Sequence, residues 1–100
     1  MEFFDCNVYF GLPAQRTLAP VGSAELLLAE MDRAGVGRAL VWHIAQHDVA
    51  PQTGNAMLAE AIAPHGRLWG CWTMLPNQAR EFAEPDELFR QMREARVTAI

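Results

Sequence analysis

Residues 3–10, Phe-Phe-Asp-Cys-Asn-Val-Tyr-Phe, alternate apolar and polar positions with the period of a strand. Phe4, Cys6, Val8 and Phe10 would share one face, and Asp5, Asn7 and Tyr9 the other. Gly11-Leu12-Pro13 closes the strand. From Ser23 the period becomes helical. Ala24, Leu27, Leu28 and Met31 recur on one side, with Glu25, Asp32 and Arg33 largely opposite. Ser23 is a good N-cap, Glu25 suits the positive end of the helix dipole, and Gly35 and Gly37 end the segment. Residues 38–44, Arg-Ala-Leu-Val-Trp-His-Ile, form the near-continuous apolar run of a mostly buried strand.

The cycle then repeats. Asn55 is placed to cap a second helix with Leu58, Ala59 and Ile62 inward, stopped by Pro64-His65-Gly66. Residues 67–75 predict a third strand, and Pro76-Asn77 breaks it. Pro85 fits the first position of a third helix, whose inner face would be Leu88, Phe89, Met92 and Ala95. Residues 97–100 open a fourth strand. Such alternation predicts parallel strands joined by right-handed crossovers, in a (β/α)8 barrel or an open doubly wound sheet. A barrel needs roughly 250 residues. The 100 residues therefore read as three βα units and the start of a fourth strand: the N-terminal portion of a single TIM-barrel domain. The expected strand order is 1-2-3-4, with every helix on one face.

Composition narrows the partners. All eight basic residues are arginine, and twelve acids leave a net charge of −4, which argues against nucleic acid or an anionic membrane surface. A hydrophobic fraction of 51% against 20% charged residues is that of a chain with a core. No apolar run approaches a membrane span, and no basic flank precedes a hydrophobic stretch, so no signal peptide is expected. Cys6 and Cys71 form no motif. A reducing, cytoplasmic setting with two inert, buried thiols is the default expectation.

Candidate chemistry follows from the rule that ligands bind at the C-terminal ends of parallel strands. The rule selects Asn7 and Tyr9, His43 and His47, and Thr73 with Asn77. Asp5 joins them through its alternation with Asn7 and Tyr9. Each also has a plainer reading. Asp5, Asn7 and Tyr9 could be an interior hydrogen-bond network. His43 is either a substrate ligand or general base, or a satisfied rim histidine. His43 and His47 have the spacing of a helical metal pair, but the segment leaves a strand, so His47 reads as an exposed loop residue. His65 belongs to a helix end. Trp42, Trp69 and Trp72 read as packing between strands and helices. No GxGxxG, GxxxxGK[ST] or GxSxG occurs, which removes the usual nucleotide loops and the serine elbow.

The first strand, followed by "ELLLAEMDRAGVGRALVW", resembles the amidohydrolase superfamily, and specifically its amidohydrolase-2 branch. "GNAMLAEAIAPHGRLWGCWTMLP" and "ELFRQMREARVTAI" are similar to that branch's next two units. The resemblance implies a TIM-barrel hydrolase or non-oxidative decarboxylase, acting on a small organic substrate of carboxylate or lactone type. The family's first strand carries Asp-x-His-x-His, whose imidazoles hold a divalent metal, commonly zinc. Here Asp5-Cys6-Asn7-Val8-Tyr9 puts Asn7 and Tyr9 where the ligands would stand. An amide oxygen and a protonated phenol are poor zinc ligands. No metal is expected from this segment, and zinc could come only through residues beyond Ile100. The implied catalytic residues are Asn7, Tyr9 and His43, with Asp5, Thr73 and Asn77 on the substrate. A metal site rebuilt around His43 and a non-catalytic barrel that binds a ligand are the alternatives. The expected partners are a small-molecule substrate and a further copy of the chain.

Overall fold

The computed structural model describes residues 2–75 and 83–100. Its elements run β1 (Phe3–Phe10), α1 (Ala24–Ala34), β2 (Val36–His43), α2 (Ala45–Asp48), α3 (Pro51–Ile62), β3 (Leu68–Cys71), α4 (Pro85–Glu94) and β4 (Val97–Ala99). The four strands form one parallel sheet in the order β1-β2-β3-β4. The fold class is α/β. No helix among the described residues is long and apolar enough to cross a membrane.

One core cluster holds the layers together. Phe10, Ala39, Val41, Leu68 and Val97 from the strands meet Leu27 and Met31 of α1, Leu58 and Ile62 of α3, and Leu88 and Met92 of α4. Alternation along the strands sends the intervening residues, Leu40, Trp42, Trp69 and Cys71, to the other face. The helices thus lie on one side of the sheet. Leu58 and Ile62 are fully buried, which contributes about 1.5–3 kcal/mol for each side chain.

Several local signals act as expected. Ser23 Oγ accepts the Leu26 N–H at 3.2 Å, and Gly35 ends α1 at φ 77°, a conformation other residues resist. At the N-terminal end of the sheet, Arg67 donates to Gly37 O and Val36 O at 2.7 and 3.0 Å. Arg96 donates to the carbonyls of Ile62 and Ala63. These guanidinium forks tie each crossover to the one before it.

Other expectations are corrected. The second long helix begins at Pro51, because a proline loses nothing in the first turn, where its N–H would have no partner. Asn55 is therefore one turn inside α3 and buried rather than a cap. The four-residue α2 is too short to leave a period in the sequence. β3 ends at Cys71 rather than near residue 75, because Asn55 takes over the next backbone groups. Its Nδ2 donates to Thr73 O at 2.9 Å, and its Oδ1 accepts the Thr73 N–H at 3.0 Å. Phe89 is 49% exposed instead of facing the core. Of the tryptophans only Trp72 packs under the helices.

β1 carries the most consequential correction. Asp5 pairs with Ala39 but Val8 pairs with Val41, so β1 holds one residue more than β2 over that stretch. This is a bulge, and it reverses the alternation. Phe4 leaves the face of Val8 and Phe10, and its ring lies 6.4 Å from Trp69 on the open side. Cys6, read as a buried thiol, is exposed.

Candidate functional site

A cleft of about 770 Å³ opens at the C-terminal ends of the strands, with α2 and the start of α3 on its rim. Asn7 of β1, Trp42 of β2, Cys71 of β3 and Ile100 after β4 all line it, together with His47 and Thr73.

Asn7 is oriented by its neighbours. Its N–H donates to Asp5 Oδ1 at 3.1 Å, which closes the bulge, and its Oδ1 accepts the Trp42 indole N–H at 3.2 Å. With the oxygen engaged, the Nδ2 donors are left for a ligand. Asp5 accepts that backbone N–H and does not line the cleft, so it acts here on the position of Asn7. Tyr9 packs on Trp42 with ring centroids 5.0 Å apart. It lies on the same face, 42% exposed, beside the cleft.

His47 stands at the rim. Its Nδ1 lies 2.8 Å from Asp48 Oδ1, and Asp48 Oδ2 accepts the Ala14 N–H at 2.7 Å. A carboxylate only accepts, so Nδ1 carries a proton, and in the neutral tautomer Nε2 is the acceptor. The Ala14 N–H, and after it His47, hold the Asp48 carboxyl below the usual carboxylate range. His47 is exposed, as the sequence reading has it, but it belongs to α2 rather than to a loop.

Beneath the rim, a buried pair of amides fixes the strand ends. Gln46 Oε1 accepts the His43 N–H at 2.7 Å, and its Nε2 donates to Asn55 Oδ1 at 2.5 Å and Cys71 O at 3.0 Å. Asn55 passes the constraint on to Thr73, which lines the cleft. Burial pushes the Cys71 thiol up, so it is a neutral thiol rather than a nucleophile at neutral pH.

His43 is not with them. It alternates with Trp42 and points to the helix side, edge-on to Phe10 at 5.1 Å. Its Nδ1 accepts the Ala45 N–H at 3.1 Å, and burial pushes the imidazole down, toward the neutral form. Its ring fills the space above Gly11, where a Cβ would sit 2.8 Å from Cε1 and where φ is 105°. The sheet separates His43 from Asn7 and Tyr9, and the expected trio is a pair with His47 as the nearby imidazole. Asn77 lies outside the described residues.

The metal implied by the family resemblance does not fit these residues. The Asn7 oxygen is engaged by Trp42, Tyr9 lies on an indole, and no three His, Cys, Asp or Glu side chains among the described residues come together to hold an ion. Comparison with protein-family models, curated proteins and solved structures finds no match.

Proposed function

We propose that the chain is the N-terminal portion of an amidohydrolase-like (β/α)8 barrel. It hydrolyses or decarboxylates a small organic substrate of carboxylate or lactone type, without a metal held by these residues. The observation that carries this reading is the cleft over the strand ends, which Asn7 and His47 both line, with His47 paired to Asp48. Strands in sequential order and helices on one side support the barrel. Asn7 Nδ2 donates to a substrate carbonyl or carboxylate oxygen, where charge develops. His47 Nε2 takes a proton from water or substrate, and Asp48 holds the ring in the tautomer that permits it. Trp42 and Ile100 give the substrate an apolar wall, and the Tyr9 hydroxyl is a second donor at the rim.

The test is turnover of a panel of lactones and small carboxylic acids by the full chain. Loss of a general base costs about 10²–10⁴-fold, so His47→Gln is expected to fall by that amount with far-UV circular dichroism unchanged. Asn7→Ala is expected to fall by about 10²-fold. Turnover unaffected by both substitutions, or abolished by chelation and restored by zinc, rejects the assignment. Binding without turnover, reported by quenching of Trp42, gives the cleft to a non-catalytic ligand.

A further inference from the structure

A second cavity, of about 300 Å³, lies between α3 and α4, beside the end of β3. Ala56 and Leu88 give it apolar walls, and its polar groups are Gln52 and Asn55 of α3, Gln91 of α4 and Trp72 just after β3. That volume is at the lower end of small-molecule pockets, which combine apolar walls with a few polar groups. Trp72 is 9% exposed, and its indole N–H is buried with no acceptor among the described residues. Buried donors are normally paired, because the bond to water is lost on burial and has to be replaced.

The neighbouring amides define the partner that fits. Asn55 Oδ1 already accepts from Gln46 and from the Thr73 N–H, while Nδ2 uses one of its two hydrogens on Thr73 O. One Asn55 hydrogen is left to give. Gln91 Nε2 donates to Glu87 Oε1 at 3.1 Å, which leaves Gln91 Oε1 to accept. No charged side chain lines the cavity among the described residues. The Arg90 guanidinium, next to Gln91 in the chain, is held by Glu87 and Glu94. A carboxylate would find no cation there. We infer that this cavity binds a small, neutral primary carboxamide. Its carbonyl oxygen accepts the Trp72 indole N–H and the second Asn55 Nδ2 hydrogen, and its NH2 group donates to Gln91 Oε1. Gln52 and Gln91 are exposed, and rotation of their side chains lets the ligand down to the buried indole. The site is distinct from the cleft at the strand ends, and the two share Trp72.

The experiment is a titration of the isotopically labelled full chain with benzamide, read by proton–nitrogen correlation on the indole N–H resonances of its three tryptophans. Trp72→Phe identifies the Trp72 resonance by its disappearance. That resonance is expected to move downfield and to saturate as the N–H gains an acceptor. Benzoate carries a charge, and toluene has the ring without the acceptor. Both are expected to bind at least about tenfold more weakly than benzamide. Gln91→Leu changes an exposed position of α4 and leaves the core alone. It is expected to weaken benzamide about tenfold and to leave toluene unchanged. A Trp72 resonance that stays in place overturns the inference and leaves the N–H to water. Equal binding of toluene overturns it too, since the cavity would then take any apolar group, and so does equal binding of benzoate. A response lost in Asn7→Ala and kept in Gln91→Leu places benzamide in the cleft, which also overturns it.

Discussion

On the helix side of the sheet, Ala39, Val41 and Leu68 are completely buried, and every second residue of the strands meets α1, α3 or α4. On the other side of the same strands, Phe4 and Tyr9 are about half exposed, and Trp42 and Trp69 are only partly covered. The open face also carries polar groups, with Asn7 on Trp42 and the Arg38 guanidinium over Trp69. The contrast assigns them different duties. Helix-side residues hold the four strands in order, and open-side residues line the cleft proposed for the ligand. Substitutions should therefore sort by face, with stability lost on one and turnover on the other.

The sharpest break is expected at Gly54, where α3 crosses α2. A Cβ there would lie 2.2 Å from Gln46 N and 2.4 Å from Gln46 Cα, both backbone atoms that cannot swing aside. Gly54→Ala is expected to cost about 3 kcal/mol, at the upper end for overpacking. Phe4→Ser, on the open face, is expected to cost under about 1 kcal/mol. Urea unfolding at fixed protein concentration reads both, since association would otherwise enter the midpoint. Equal costs would abolish the division between the faces.

Next in size is Asn55, which supports the open-face cleft from the helix side. Its amide makes one bond to Gln46 and two to the Thr73 backbone. Asn55→Ala leaves those buried groups without partners, at about 2–3 kcal/mol. It also frees the Thr73 amide, whose exchange with solvent should accelerate ahead of global unfolding. Unchanged protection at Thr73 would mean that the cleft is held by other contacts.

These two sites also mark where the sequence was readable. Ser23 and Gly35 bracket α1 through local chemistry, and the apolar run in β2 has few alternatives, so those elements were legible. The parallel order followed from alternation of strands and helices. The β1 bulge was not legible, because the extra residue shows only in pairing with β2, and it moved Phe4 across the sheet and left Cys6 exposed. Nor was the place of His43. Continuous apolar runs hide which positions face which way, so Trp42 and His43 could not be assigned to faces until Phe10 and Asn7 were seen beside them. The four-residue α2 leaves no period, so exposed His47 read as part of a loop.

The smallest expected effect uses His43 to separate the faces by pH. Burial on the helix side holds its folded-state pKa below the usual 6.5. The unfolded chain takes up the proton near 6.5, so the neutral ring stabilises the fold fully above that pH. That stabilisation is lost as pH falls through the folded value. Protonation also puts a hydrogen on Nδ1, which then cannot accept the Ala45 N–H. His43→Asn keeps an acceptor near the Nδ1 position and does not titrate. Between about pH 7 and pH 5, the urea midpoint of the parent chain should fall more steeply than that of His43→Asn. Glu25, Asp48 and Glu87 have carboxyls held below their usual range, titrate at lower pH and are common to both proteins. The difference between the curves therefore reads His43 alone. Parallel curves would mean that His43 is as wet in the folded chain as in the unfolded one, and would return it to the open side with Asn7 and Tyr9.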